Sequence, residues 1–454
     1  MIYRLVRGLF RAGLFGYFRR IDVEGLDRVP AEGPVLLVAN HVNAFVDALL
    51  VVTRLRRPVT LTAKATLRAD PLLRPLLGVL RVVTFRRGQD EASPDPGRNR
   101  DAFEVCRRRL EAGEALCVFP EGVSHSDPGL RPFRTGAARI ALDFVARSGG
   151  PLPVVPVALH YEAKDRFRSA AGLIVGEPLD AESWVRAHPG VGARELTDEI
   201  DRRIRSLTAN FDSDTDRTLF VRAAELLGVA GRPPVPLDRD EPRKLGSTVE
   251  RIHRLQAGAQ RLGTAEFGER ERLEHRIGAL YRKLGHLGIT ARELSLPIHA
   301  GRAAFFVIRE LEILLVGLPL AGWGALNHFL PYRILRALVD RVSEDADHVA
   351  TNAVFFGIPL FLLAYAVQAA AVAWIASPVW ALGYAVSLPL SGAVALLYRD
   401  RAGGVFRRTR TFLLFLRHPE YQRSLEREAR SIVDEVLRLA TETEHAAPRD
   451  SRAD

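Results

Sequence analysis

Cysteine is scarce in this chain, and its scarcity excludes two common kinds of site. Only two cysteines, Cys106 and Cys117, occur among 454 residues. Two residues cannot form a disulfide framework, and their spacing does not fit the paired ligands of a zinc site. Both fall within a predicted helix or strand, so we expect reduced thiols in or near the core.

The chain also lacks a convincing secretory signal and a nucleophile elbow. Residues 1–20 contain neither the uninterrupted apolar core nor the small-residue cleavage site of a signal peptide. Arginine alternates there with leucine and phenylalanine, which predicts a basic amphipathic helix at a membrane interface, with an ordinary packing helix as the alternative. No Gly-x-Ser-x-Gly pattern occurs, which argues against a hydrolase of that type.

Basic residues dominate the charge balance of the chain. Lysine and arginine total 64 against 54 acidic residues, which gives a formal charge of +10, and arginine greatly outnumbers lysine. A basic surface favours anionic lipids, phosphorylated substrates or nucleic acid as partners. Simple solubility is the alternative interpretation of the same composition.

Short apolar runs alternate with helical patterns between residues 34 and 210. Runs such as PVLLVAN, VTLTAK, VVTF and EALCVF are typical of buried strands, and the segments between them have helical periodicity. This alternation predicts an α/β domain over residues 21–210, with a mixed sheet flanked by helices. Ligands of such sheets bind beyond the carboxyl ends of the strands.

One predicted strand ends in a histidine that is followed by a carboxylate. In PVLLVANHVNAFVDALL (34–50), His41 and Asp47 are the only titratable residues. A carboxylate on one ring nitrogen fixes the imidazole tautomer and raises its basicity, so the pair suits a general base. Residues six apart in a helix differ by roughly 240°, so the two can meet only if His41 precedes the helix. A purely structural His–Asp pair is the alternative.

Polar residues also follow the neighbouring predicted strands. Lys64 ends VTLTAK, while Arg86 and Arg87 follow VVTF, and either kind of cation can bind a phosphate. We favour Arg87 over Arg86. The block Phe-Pro-Glu-Gly at 119–122 follows EALCVF, and Phe-Arg-Thr-Gly at 133–136 precedes the next helical pattern.

These blocks together resemble the glycerolipid acyltransferase superfamily. An Asn-His block with a downstream aspartate, an arginine block, a Phe-Pro-Glu-Gly block and a late apolar block with proline at 154–157 occur here in the family's order. Most members have four residues between the histidine and the aspartate, whereas this chain has five. The longer spacing is similar to that of fungal-type glycerol-3-phosphate and dihydroxyacetone-phosphate acyltransferases.

The resemblance implies roles for individual residues. It makes His41 the general base and Asp47 its partner, and it implies that the substrate is bound by Asn40, Lys64, Arg87, Glu121, Gly122 and Arg134. Acyl-CoA would be a co-substrate, and no cofactor or metal is expected. One alternative is a hydrolase that uses His41 with Ser124 or Asp47. Another is a metal site formed by the polar loop 124–127 with His41 and His160. The third is a catalytically silent lipid-binding membrane protein.

Beyond residue 210 the composition changes twice. Residues 211–308 contain a proline-rich linker and charged helical patterns, and residues 411–454 form a charged helical tail. In the membrane-embedded region 309–410, the runs 351–376 and 378–398 are each long enough to span a bilayer. Glycine and proline interrupt the run 311–331, for which we favour a re-entrant hairpin over a third span. Arginines after residue 398 predict a cytoplasmic end, with the catalytic domain on the cytoplasmic face.

The sequence therefore predicts a membrane-bound O-acyltransferase of phospholipid biosynthesis. It would transfer a fatty acyl group from acyl-CoA, or from an acyl carrier protein, to the sn-1 hydroxyl of glycerol-3-phosphate or dihydroxyacetone phosphate. A lysophosphatidate acyltransferase is the nearest alternative. Membrane lipids are expected partners, and nucleic acid is not.

Overall fold

The computed structural model describes residues 1–71, 73–86, 99–229, 245–261, 267–295 and 300–445. The chain divides into two compact units. The first contains Met1–Thr208 and Phe329–Leu382, and the second contains Ala209–His328 and Gly383–Asp454. The predicted site residues lie in the first unit.

An eight-stranded mixed sheet forms the centre of the first unit. Its strands are β1 (Arg20–Glu24), β2 (Val35–Ala39), β3 (Val59–Lys64), β4 (Val83–Phe85), β5 (Ala115–Val118), β6 (Pro153–Tyr161), β7 (Ala170–Val175) and β8 (Leu179–Asp180). Their order is β1-β7-β6-β2-β5-β3-β4, with β8 beside β6. All pairings are parallel except those of β6 with β7 and β8. Strands β2, β3, β4 and β5 therefore end at the same edge.

Helices cover both faces of this sheet. They are α1 (Ile2–Tyr17), α2 (Ala44–Arg54), α3 (Leu73–Val79), α4 (Arg100–Glu111), α5 (Gly136–Ser148), α6 (Ala181–Ala187) and α7 (Ala193–Leu207). Successive side chains of β2 enter opposite cores, since Leu37 joins the core of α2 and Leu36 joins that of α5. The mixed sheet with flanking helices agrees with the prediction.

Strand β1 was not predicted. It precedes the apolar runs that begin at residue 34, and it pairs in parallel with β7, with Val23 opposite Leu173. Its sequence, RIDVE, alternates charged and apolar residues on an edge strand, which gives a much weaker signal than the continuous apolar runs of the central strands.

Helix α1 packs on the first unit through one face only. Phe10 and Leu14 are buried in the same core as α2, whereas Leu5 and Phe15 are exposed. The packed face agrees with the alternative of a packing helix. The exposed apolar residues are those that the predicted interfacial helix would present to lipid.

In the part of the chain that the structure describes, three further helices are long and apolar enough to cross a membrane. They are α11 (Ala300–Val342), α12 (Ala346–Ile375) and α13 (Pro378–Arg417), and the apolar part of α11 begins at Val307. The break at residues 376–377 separates α12 from α13 where the two predicted apolar runs, 351–376 and 378–398, meet. These helices support association of the chain with a membrane.

The predicted re-entrant hairpin at 311–331 is wrong, because α11 continues through this run without a break. Gly324 serves close packing of helices rather than a turn. A Cβ atom at Gly324 would lie 2.1 Å from the carbonyl oxygen of Ser391 on α13, so only glycine allows this approach.

The second unit is helical in the residues that the structure describes. Besides parts of α11 and α13 it contains α8 (Asp214–Val229), α9 (Leu245–Arg261), α10 (Phe267–Leu287) and α14 (Pro419–His445). Leu280 of α10, Phe415 of α13 and Ile432 of α14 are buried together in its core. Charged residues on the outer helix faces agree with the predicted helical region and tail.

Candidate active site

The end of β2 is held in place by the side chain of Asn40. Its Nδ2 donates to the carbonyl oxygen of Leu159 (3.1 Å), and its Oδ1 accepts from the backbone N–H of the same residue (2.7 Å). Asn40 is buried, and these bonds extend the pairing of β2 with β6. The structure thus directs this amide into the protein, away from the substrate contact implied by the sequence.

His41 and Asp47 meet in the turn between β2 and α2. Nδ1 of His41 lies 2.9 Å from Oδ2 of Asp47, which is fully buried in the first turn of α2. The same oxygen accepts a hydrogen bond from the backbone N–H of Asn43 (2.7 Å). Because α2 begins at Ala44, His41 precedes the helix, which is the condition that the six-residue spacing required.

A third side chain completes this cluster. The hydroxyl of Tyr161, the last residue of β6, donates to Oδ1 of Asp47 (2.5 Å). Burial, together with the charge of Asp47, raises the pKa of Tyr161 well above its ordinary value, so the hydroxyl keeps its proton and remains a donor. Tyr161 was not among the site residues predicted from the sequence. The available signal was a tyrosine ending a strand adjacent to the one that delivers His41.

The imidazole of His41 is oriented by two contacts. Its ring stacks on Phe119 with centroids 4.4 Å apart, and its side chain is 16% exposed. Since Nδ1 is bonded to the Asp47 carboxylate, the neutral ring carries its proton on Nδ1. Nε2 is then the atom that can accept a proton from a bound hydroxyl.

Glu121 stabilises the turn at His41 through hydrogen bonds to the backbone. Its Oε1 accepts from the backbone N–H of His41 (2.6 Å), and its Oε2 accepts from the backbone N–H of Arg131 (3.0 Å) and pairs with Nε2 of His125. The side chain is fully buried. Both oxygens of this carboxylate are thus engaged by protein groups, so Glu121 positions the backbone of the histidine, whereas the sequence implied a substrate contact.

Gly122 brings Arg134 close to the same turn. The backbone of Gly122 has a φ of +75°, and a Cβ atom there would lie 2.9 Å from Nε of Arg134. The exposed guanidinium thus crosses the glycine immediately after Glu121. Gly122 needs its lack of a side chain both for the backbone conformation and for this contact.

The other predicted cations lie farther along the strand edge. Lys64 is the exposed last residue of β3, two strands from β2 in the sheet. Arg86 is exposed after β4, and its backbone groups bond to the side chain of Asn99. Arg87 lies outside the described residues. Arg134 is therefore the predicted phosphate ligand that the structure places beside the His41 turn.

Ser124 is not paired with His41. Its hydroxyl accepts from the backbone N–H of Ala44 (2.8 Å) and donates to Oδ2 of Asp347 (2.6 Å). The serine hydroxyl therefore stabilises the start of α2. It does not form the hydrogen bond to His41 that a serine nucleophile of a hydrolase would need.

His160 likewise points away from His41. Its Nε2 donates to the carbonyl oxygen of Leu207 (3.0 Å), and loss of hydration lowers its pKa to about 4. The metal site that the sequence raised as an alternative would need both histidines together. In the part of the chain that the structure describes, a different group, Asp345, Asp347 and His348, has side chains close enough together to share a metal ion.

Fold and site together define an α/β domain whose acid–base pair lies at the carboxyl edge of parallel strands. Residues 20–160 match the family model described as Acyltransferase, and they include every member of the His41 cluster except Tyr161. This segment, about a third of the chain, is therefore similar to the Acyltransferase family.

Relatives match only parts of the chain. Glycerol-3-phosphate O-acyltransferase 2 of Saccharomyces cerevisiae is 32% identical over 154 residues, which cover 32% of this chain and 21% of the yeast protein. The 1-acyl-sn-glycerol-3-phosphate acyltransferase of Borreliella burgdorferi is 23% identical over 204 residues, covering 45% and 74%. The crystal structure of the 1-acyl-sn-glycerophosphate acyltransferase of Thermotoga maritima matches with 21% identity and a TM-score of 0.35, covering 47% and 82%. This chain thus spans about a fifth of the yeast relative's length.

Proposed function

We propose that this chain transfers a fatty acyl group from acyl-CoA to the sn-1 hydroxyl of glycerol-3-phosphate or dihydroxyacetone phosphate. The observation that carries the proposal is the His41–Asp47 pair, with Nδ1 bonded to a fully buried carboxylate and Nε2 left for the substrate. A membrane-associated acyltransferase domain is the setting in which this pair acts.

The reaction needs a single proton relay. Nε2 of His41 removes the proton from the acceptor hydroxyl as its oxygen attacks the thioester carbonyl carbon. The new C–O bond forms, the C–S bond breaks, and the leaving thiolate takes up the proton from the imidazolium. Asp47 stabilises the imidazolium and holds the ring in the required tautomer, and Glu121 fixes the backbone at His41.

The acceptor phosphate binds to cations at the strand edge. Arg134 is the principal ligand, because its guanidinium crosses Gly122 next to the His41 turn. Lys64 supplies further positive charge from the end of β3, and the sequence favours Arg87 as an additional ligand. A guanidinium can bind two phosphate oxygens at once, which fixes the orientation of the acceptor as well as its affinity.

The acceptor assignment is supported by sequence features rather than by a pocket shape. The yeast relative at 32% identity is named for glycerol-3-phosphate, and the five-residue spacing between His41 and Asp47 resembles that of fungal-type enzymes. The alternative is a lysophosphatidate acceptor, which the name of the Borreliella relative favours. The donor is acyl-CoA, with acyl carrier protein as the alternative.

The arginines that follow the apolar run of α13 favour a cytoplasmic position for that helix end. We place the catalytic domain on the cytoplasmic face for the same reason. Water-soluble glycerol phosphate and acyl-CoA would reach the site there. Lipid is the partner of the apolar helices.

The test is acyl transfer by membranes that contain the protein, with labelled palmitoyl-CoA and either glycerol-3-phosphate or lysophosphatidate as acceptor. We expect lysophosphatidate to form from glycerol-3-phosphate, and we expect His41→Ala to abolish it, because the proton acceptor is lost. Phosphatidate formed only from the lysolipid would move the assignment to the second acyltransferase. Full activity of His41→Ala would overturn the mechanism.

A further inference from the structure

The first turn of the apolar helix α12 touches the helix that carries Asp47. Asp347 and Thr351 are four residues apart and therefore lie on one face of α12. Asp347 reaches α2 through the hydroxyl of Ser124, and Thr351 accepts a hydrogen bond from the backbone N–H of Val46 (3.3 Å). These two contacts join residues 223 and 305 positions apart in the chain.

The contacts involve backbone N–H groups at the start of α2. The first N–H groups of a helix lack a partner four residues earlier in the chain. Asn43 donates to Asp47 and Ala44 donates to Ser124, while Val46 donates both to the carbonyl oxygen of Asn43 (3.1 Å) and to the hydroxyl of Thr351 (3.3 Å). Ser124 therefore caps the helix from outside, and Thr351 adds a second acceptor in the turn that fixes Asp47.

Asp347 determines the direction of the Ser124 hydroxyl. One carboxylate oxygen accepts the Ser124 proton at 2.6 Å, and the other lies 3.3 Å from Nδ1 of the adjacent His348. Because the serine proton is used by Asp347, a lone pair of the serine oxygen is available to the N–H of Ala44. Asp347 is buried although it stands at the entrance of an apolar helix.

Packing reinforces this polar link. Ala350 and Val354 of α12 are buried in the same core as Val46 of α2. Phe355 packs edge-on against Phe45 of α2, with ring centroids 5.0 Å apart. In the first unit, α12 thus packs directly against the helix of the active site.

We propose that Asp347 is a positioning residue for the His41–Asp47 pair, acting through Ser124 on the first turn of α2. This inference rests on the proposed acyl transfer. It assigns to an apolar helix, far downstream of the matched acyltransferase domain, a part in holding the catalytic carboxylate. Acyl transfer by this chain therefore depends on a docked α12.

The test compares Asp347→Ala with Asp347→Asn in the full-length protein in lipid nanodiscs. Alanine removes the acceptor for Ser124, whereas asparagine keeps an amide oxygen in its place. We expect alanine to lower kcat about tenfold to a hundredfold with KM unchanged, as a displacement of about 1 Å at a reacting group does. Asparagine should restore most of the rate. Asp345→Asn is the matched control, because it removes an exposed charge from the same helix end.

Hydrogen exchange gives a second readout that needs no turnover. In Asp347→Ala, amides in the peptide 42–50 should exchange at least tenfold faster, while those of α5 stay unchanged. A wild-type protein without acyl transfer would refute the proposed function, and the exchange rates would still decide the positioning role. Unchanged kcat and exchange in Asp347→Ala would overturn the inference, as would equal losses in the alanine and asparagine variants.

Should Asp347→Ala fail to fold, Ser124→Ala replaces it. Loss of the serine hydroxyl removes the same bond from the other side, so it should reproduce the fall in kcat and the faster exchange at 42–50. Wild-type values in Ser124→Ala would contradict the inference.

Discussion

Tyr161 and His41 bind opposite oxygens of one carboxylate. The tyrosine hydroxyl donates to Oδ1 of Asp47, and Nδ1 of His41 lies against Oδ2. Both oxygens of this fully buried carboxylate are thereby engaged. The Asp47 side chain therefore cannot rotate without breaking its hydrogen bond to Tyr161 or to His41. Tyr161 consequently controls the orientation of the histidine although it does not touch it.

Tyr161→Phe should lower kcat about tenfold and leave both KM values nearly unchanged. Phenylalanine keeps the ring but removes the donor to Oδ1, and a hydrogen bond to a charged group contributes about 1.5–3 kcal/mol. Steady-state kinetics at several acceptor concentrations measures the effect.

Tyr17→Phe is the control for this prediction. This variant also loses a tyrosine hydroxyl, but the lost hydrogen bond is to the backbone carbonyl oxygen of Lys164 (3.0 Å) and not to Asp47. It should alter thermal stability without changing kcat. Equal losses of kcat in the two variants would mean that Tyr161 acts only on stability.

Arg134→Ala should raise the KM for the phosphorylated acceptor about tenfold to a hundredfold, since it removes a charge-assisted bond. The KM for acyl-CoA should change little. Arg134→Lys should recover only part of the affinity, because an ammonium lacks the bidentate geometry. Arg139→Ala removes a charge from α5, where the guanidinium covers the ring of Phe103, and should leave acceptor binding intact.

Gly122→Ala should reduce both stability and acceptor binding. A left-handed conformation costs a residue with a Cβ atom about 1–2 kcal/mol, and the new methyl group would displace the Arg134 guanidinium. Thermal unfolding and acceptor KM would be measured together. Gly136→Ala, where nothing lies within 4 Å of the added methyl, should be neutral or slightly stabilising.

His160 should make the folded state sensitive to mild acid. Its pKa falls from 6.5 to about 4 on folding, so between these values the unfolded chain binds more protons than the folded chain. Stability is therefore complete above about pH 6.5 and decreases as the pH falls toward about 4, by about 3 kcal/mol in total.

His160→Gln tests this dependence. Glutamine keeps a donor for the Leu207 carbonyl and does not titrate, so the fall in melting temperature between pH 7 and pH 4.5 should become shallower than in the wild type. His188→Gln, at an exposed histidine after α6, should leave the wild-type slope unchanged. A wild-type slope in His160→Gln would refute the assignment.

The local sequence was enough to predict features that depend on a single strand or helix. Continuous apolar runs identified β2 and its parallel neighbours, and the six-residue spacing predicted that His41 must precede α2. The re-entrant hairpin at 311–331 was wrong because glycine in an apolar helix can serve packing as well as a turn. At Gly324, the contact that decides between them comes from Ser391.

The contacts missing from the sequence analysis join distant segments. Tyr161 lies 114 positions from Asp47, and Asp347 lies 223 positions from Ser124. Spacing rules apply only within one element, so neither pair could be derived from them. Asn40 and Glu121 show the converse limit, because their letters match a family block while the direction of each side chain depends on partners in other strands and loops.

The docking of α12 on α2 has a consequence for where the proposed acyl transfer would occur relative to lipid. Thr351 touches α2 at the residue where the apolar run of α12 begins, and a helix advances only about 1.5 Å per residue. In a bilayer that α12 enters at this residue, His41 lies at the boundary between water and hydrocarbon. A charged acceptor can then arrive from the aqueous side while the acyl chain stays among lipid tails, so the product need never be solvated.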